Sequence, residues 1–170
     1  MKLKKLQIQG YKNLKDITID FSNKNGTTLL VGNNGCGKSN ILEAISSIFG
    51  GLYNDRIHKP YFDYHLEYRI NDHDVDITLN SGKYVFSTDN HIVHKPVFTR
   101  KASIYLPTNI ISCYSGESSR LWGFYYYPYY KDYIKSIKSS TVIPQLQLIY
   151  INKFSLDIAL LTLFFYDFSV

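Results

Sequence analysis

Gly32-Asn33-Asn34-Gly35-Cys36-Gly37-Lys38-Ser39 reads G-x-x-x-x-G-K-S, a glycine-rich stretch closed by a basic residue and a hydroxyl. That order of residue types is what a phosphate chain needs. Gly32 and Gly37 permit a tight backbone path on which successive N–H groups and the N-terminus of a following helix converge on one anion. Lys38 then reaches the β- and γ-phosphates, and the Ser39 hydroxyl is placed to ligate Mg²⁺. A purely structural turn has no use for Lys-Ser after its last glycine. Asn33, Asn34, Gly35, Cys36 and Asn40 complete the candidate nucleotide-binding segment.

The flanks agree with a strand, loop and helix in that order. Thr27-Thr28-Leu29-Leu30-Val31 is a β-branched and apolar run ending on the first glycine, which predicts a strand buried on both faces. From Asn40 onward, Ile41, Leu42, Ala44, Ile45, Ile48 and Phe49 recur at helical spacing, and Gly50-Gly51 is read as the stop.

Working outward, Leu6 and Ile8 alternate with Gln7 and Gln9, and Ile17, Ile19 and Phe21 alternate with Thr18 and Asp20. A period of two marks two half-buried strands joined by the turn at Tyr11-Lys12-Asn13-Leu14. Beyond the helix the pattern becomes a meander. Tyr64, Leu66, Tyr68 and Ile70 form one strand, Val75, Ile77 and Leu79 the next, and Lys83-Tyr84-Val85-Phe86 a third, separated by the turn formers Asn71-Asp72 and Asn80-Ser81-Gly82. Asn109 to Tyr114 predicts a further strand running into a polar loop at Ser115–Arg120. Trp122 to Lys138 is rich in tyrosine and partly helical, with Pro128 as an interruption. Ser155 is a good N-cap for a helix that is apolar nearly all round and is expected to be buried.

The chain has 170 residues, 45% of them hydrophobic, which suits a single lobe with its own core. Its parts are a P-loop core over residues 1–53, an antiparallel β region over 61–115 and a helical, tyrosine-rich segment over 120–170. The formal charge of +5 permits contact with nucleic acid, but the basic residues are scattered and form no run. Two cysteines, Cys36 and Cys113, have no metal-ligand spacing, which fits a reducing cytoplasm. The apolar stretch from Ile158 to Tyr166 is too short to span a bilayer, so no membrane association is expected.

Three segments together resemble the start of an ABC-type ATPase head. They are Lys5-Leu6-Gln7-Ile8-Gln9-Gly10-Tyr11-Lys12-Asn13-Leu14, Ile17-Thr18-Ile19-Asp20-Phe21, and the run from Leu30 through the P-loop to Ile45. The nearest patterns are those of the chromosome-maintenance, recombination-protein-F and OLD-nuclease ATPases. A narrower resemblance is to the ATPase subunits of bacterial anti-phage systems of the Septu or retron-associated type. The implied fold is α/β, a P-loop NTPase lobe with a mixed sheet, a P-loop helix and an antiparallel β meander. The implied cofactors are ATP and Mg²⁺, and the implied partners are a second head, as a homodimer, a nuclease effector or nucleic acid. The resemblance places Lys12 and Asn13 near the nucleotide.

Other polar groups offer less. Ser115-Gly116-Glu117 looks like a signature segment but lacks the Asp-Glu strand that should follow, and Asp167, after Leu163–Tyr166, has Phe168 where the glutamate would stand. Gln145 and Gln147 suit a Q-loop or the entry to a strand equally. Asp72-His73-Asp74, in a hairpin turn, and His91-Ile92-Val93-His94, in a loop, have ligand chemistry without a third partner. Tyr125, Tyr126, Tyr127, Tyr129 and Tyr130 suit packing better than base stacking. The absent Asp-Glu strand and the apolar end lead to the expectation of a lobe cut short at its C-terminus. ATP hydrolysis is then expected only on completion, the alternative being a non-hydrolysing binding module.

Overall fold

The alternating segments on either side of the P-loop and its helix join into one sheet. The computed structural model describes residues 1–22, 26–114, 119–152 and 155–165. Strands β1 (Lys2–Tyr11), β2 (Leu14–Asp20), β3 (Asp63–Ile70), β4 (His73–Asn80), β5 (Lys83–Thr88) and β6 (His91–Val93) pair in the order β2-β1-β3-β4-β5-β6, antiparallel throughout. Leu6, Leu66, Ile77 and Phe86 lie opposite one another across four strands and are all buried, so one register carries the apolar face of the sheet. The opposite face presents Gln7, His65 and Thr78 in the next row.

Turn chemistry sets that register. Asn71-Asp72, Ser81-Gly82 and Asp89-Asn90 each put two positive-φ residues between paired strands, the two-residue hairpin geometry that matches strand twist. His91–Val93 is therefore the sixth strand, not the loop expected from its polar ends. His73 and Asp74 likewise belong to β4, with Asp72 alone of that trio in the turn.

Helix α1 (Lys38–Tyr53) begins on the P-loop lysine and runs straight through Gly50-Gly51, which the sequence reading takes as its stop. Both glycines are buried inside the helix, and a Cβ on Gly51 would lie 2.6 Å from Pro60 Cδ. Gly51 thereby permits close packing of the returning chain. Phe49 meets the Tyr68 ring at 6.1 Å, bringing α1 against the apolar side of β3. The short helices α2 (Lys95–Arg100) and α3 (Ala102–Tyr105) bring Phe98 into a stack with Phe86 and Tyr105.

Thr27–Val31 is not a strand. Leu29 and Val31 are 83% and 84% exposed, and no described strand pairs with them. An apolar run becomes a strand only where neighbours satisfy its backbone, and these residues have none among those described.

The chain divides into two compact units, Met1–Thr108 and Asn109–Val170, where the sequence reads as one lobe. In the second, β7 (Ile110–Cys113) pairs in parallel with β8 (Leu148–Ile151), so the antiparallel region expected over 61–115 ends at Val93. A π-helical turn (Trp122–Tyr126) leads directly into α4 (Tyr127–Ser139), so Pro128 lies just beyond a π turn within a continuous helical run rather than interrupting it. Tyr126 donates to or accepts from Ser112 at 2.5 Å and rests on the Tyr150 ring. Helix α5 (Leu156–Phe165) forms as expected, but Ile158 and Leu161 are exposed rather than buried. Ser115–Glu117 and Asp167 lie outside the described residues.

Candidate functional site: the P-loop and the turn that rests on it

The loop between Gly32 and Gly37 folds tightly, with the Cys36 N–H donating to Asn33 O at 3.3 Å. Gly37 has φ +106°, and a Cβ there would come within 2.8 Å of Leu14 Cδ2 and 3.0 Å of Asn13 Oδ1. Only glycine fits. The residue thereby lets the chain enter α1 while the β1–β2 turn lies directly on top of it.

The N-terminus of α1 is open to an anion. Gly37 supplies no side-chain cap, no acidic residue occupies the first turn, and Ile41 N–H is bonded back to Gly37 O at 3.0 Å. The earlier N–H groups of the helix have no intrahelical acceptor, and with the helix dipole they favour negative charge. Lys38 Nζ folds over the loop to Gly32 O at 2.5 Å and Asn33 O at 2.9 Å, with Cys36 Sγ at 3.8 Å. An ammonium held by neutral carbonyls is available to phosphate oxygens, which bind it more strongly because they carry charge. These features fit a nucleotide's phosphates, and Ser39, one residue into the helix, fits a cation-ligating hydroxyl.

Lys12 and Asn13 form the turn that caps this loop. Asn13 Nδ2 donates to Gly35 O at 3.1 Å, and Asn40 Nδ2 donates to Asn13 Oδ1 at 2.7 Å. The structure thus gathers Gly32 through Asn40 with Lys12 and Asn13, residues separated by some twenty positions in the chain. It adds one residue that sequence reasoning missed. Glu43 is buried, with 4% of its side chain exposed, and its carboxylate takes an ion pair from Lys12 and a 3.1 Å hydrogen bond from Tyr11 OH. The available signal was that Glu43 is the sole charged residue between Ser39 and Tyr53.

The remaining candidates separate from the loop. His73 Nδ1 pairs with Asp89 at 2.6 Å, and His91 Nδ1 bonds Asp89 O. Among the described residues, the one His/Asp/Glu group close enough to share a cation is His65, Glu67 and Asp76 on the open sheet face. There His65 meets Asp76 at 2.7 Å and Lys5 meets Glu67 at 4.0 Å, so the charges are compensated within the sheet. The cleft lined by Lys2, Lys4, Lys5 and Arg69 also contains Asp20 and Glu67, and Lys4 and Arg69 pair with Asp74, so its basic groups are partly compensated. Tyr125, Tyr126 and Tyr129 are buried, in keeping with packing, whereas Tyr127 and Tyr130 are exposed. Gln145 and Gln147 precede β8, and Gln147 O accepts from Ile110 N–H.

A P-loop entering a helix beside a strand turn, on an α/β frame, defines the class as a P-loop NTPase lobe. The chain belongs to the AAA ATPase domain family, whose profile matches residues 1–156. Similar proteins include the Retron Ec83 probable ATPase of Escherichia coli, 52% identical over 40 residues, or 24% of this chain and 7% of that protein. The DNA double-strand break repair Rad50 ATPase of Archaeoglobus fulgidus is 35% identical over 99 residues, covering 54% of this chain and 11% of its own length. The chromosome partition protein Smc of Halobacteriovorax marinus is 55% identical over 51 residues, 29% of this chain and 4% of the relative. The chain therefore spans about a tenth or less of the length of these curated relatives. A solved SMC ATPase structure aligns with a TM-score of 0.40 at 20% identity, covering 61% of this chain and 78% of its own. Among the described residues no helix is long and apolar enough to cross a membrane.

Proposed function

We propose that residues 32–40 bind ATP with Mg²⁺ and that nucleotide binding controls association of this lobe with a second copy or a DNA-directed effector such as a nuclease. The observation that carries the reading is the uncapped, acid-free N-terminus of α1 beneath a loop whose lysine bonds two backbone carbonyls and a thiol, with no carboxylate partner among the described residues. Backbone N–H groups at the start of α1, from Gly37 to Ser39, would donate to phosphate oxygens, Lys38 would exchange its carbonyl partners for the β- and γ-phosphates, and Lys12 and Asn13 would border the site. When bound, Mg²⁺ neutralises phosphate charge, with Ser39 as the protein ligand. Two exposed free thiols, Cys36 and Cys113, are compatible with a reducing cytoplasm.

Relatives named for chromosome partition, break repair and a retron support a role in bacterial DNA maintenance or anti-phage defence. Sedimentation velocity tests the association directly. Addition of Mg-ATP, with turnover prevented by a non-hydrolysable analogue in parallel, is expected to shift the protein to a larger species. An unchanged sedimentation coefficient at saturating nucleotide would remove the association from the proposal and leave binding alone.

A further inference from the structure

We propose that Glu43 is a positioning residue for the nucleotide site: acting through Lys12, its buried carboxylate holds the β1–β2 turn against the P-loop. The inference rests on the nucleotide-binding reading above and adds to it a residue outside the motif. A carboxylate withdrawn from water persists only where charge or hydrogen bonds replace its hydration, and Glu43 is supplied from one side by Tyr11 OH and Lys12 Nζ, adjacent residues at the end of β1. The Lys12 ammonium also lies 5.2 Å from the Tyr11 ring centroid.

The backbone shows what this pairing does. Lys12 has φ +52°, a conformation that side-chain-bearing residues adopt at a cost. The other two-residue hairpin turns of the sheet have both residues at positive φ and are built from Asn, Asp, Ser and Gly; this one has only Lys12 there. A lysine is a poor choice for such a turn on local grounds, and its ion pair with a helix residue 31 positions away supplies the reason. With Lys12 tied to α1 from one side, Asn13 is carried onto the loop, where its amide reaches both Gly35 O and Asn40 Nδ2. Leu14, the next residue, closes over Gly37. The chain of contacts runs from Glu43 to Lys12, to Asn13, and then to the two ends of the phosphate-binding segment. Glu43 thus acts on nucleotide through the position of the turn and the loop, touching no phosphate itself.

A double-mutant cycle on nucleotide affinity tests this, using the full protein and titration with a fluorescent ATP analogue in Mg²⁺. Glu43→Gln keeps the shape and the ability to accept from Tyr11 but removes the charge; Lys12→Met removes the other partner. Each is expected to weaken binding about tenfold, within the range for coupled networks, and the double variant no more than either single one. Lys12→Arg, which retains the charge, is expected to stay near wild type. Unchanged affinity in Glu43→Gln, or losses that simply add, would overturn the positioning role. Should Glu43→Gln fail to fold, the double variant leaves no lone buried charge and must still show the tenfold loss; wild-type affinity there overturns the proposal. Wild-type protein that binds no nucleotide would defeat the site itself, and this role with it, which separates the two failures.

Discussion

Gly37 is where the demands on a single residue are clearest, because the same position must turn the chain at φ +106° and leave room for Leu14 and Asn13. Gly37→Ala is expected to cost about 1–3 kcal/mol of stability and to loosen the loop, which chemical denaturation and nucleotide titration would read together. Stability equal to wild type would show that the turn is not seated as described. His58 offers a second test at this scale. Its ring meets Ser47 Oγ at 2.6 Å, and burial holds its pKa below the ordinary 6.5. The unfolded chain therefore binds a proton that the folded chain resists, so the stability contribution is whole above about pH 6.5 and is lost as the pH falls below it. Thermal midpoints should drop as the pH falls below about 6.5, and less steeply in His58→Gln. Equal slopes for the two proteins would contradict that assignment.

At the scale of elements, α1 shows two effects of opposite sign at one glycine. Replacing a helix-interior glycine by alanine ordinarily stabilises by about 0.5–1 kcal/mol. At Gly51 the added Cβ would stand 2.6 Å from the Pro60 ring and 3.4 Å from His58 O, neither of which is a flexible side-chain end. Overpacking of that kind costs about 1–3 kcal/mol, so it outweighs the propensity gain and Gly51→Ala is expected to lower the denaturation midpoint. A raised midpoint would mean that the Pro60 segment yields. The same residue explains why the helix end was not legible: glycine after an apolar stripe reads locally as a stop, and only the nonlocal approach of Pro60 gives it another purpose. Thr27–Val31 fails for a related reason. Its composition suits a strand, but strand formation depends on backbone partners that no local pattern reveals. The meander through β5 was legible because alternation, turn residues and a two-residue spacing all act within a few positions, whereas the last hairpin, to the three-residue β6, was too short to show alternation.

For the whole molecule, family membership over residues 1–156 and an α/β frame agree with the resemblance drawn from the first fifty residues. The segment proposed to bind phosphate was visible as a motif, since its glycines, lysine and serine lie in one stretch of eight residues. What surrounds it was legible in part. Lys12 and Asn13 came from resemblance, while the buried Glu43 that holds them needed coordinates, because pairing across 31 positions leaves no periodic trace. The second unit was the least legible: its parallel β7–β8 pair joins segments about 35 residues apart, and parallel pairing requires a crossover that short-range turn signals cannot announce.

The central claim is that this fold presents a nucleotide site whose indispensable charge is Lys38. Calorimetric titration of wild-type protein and Lys38→Ala with Mg-ATP, each first shown to be folded, tests it most directly. Saturable binding by wild type and a loss of about a hundredfold or more in the variant are predicted, since the lysine's charge-assisted bonds to phosphate have no substitute in the loop. Wild-type affinity in Lys38→Ala would contradict the account.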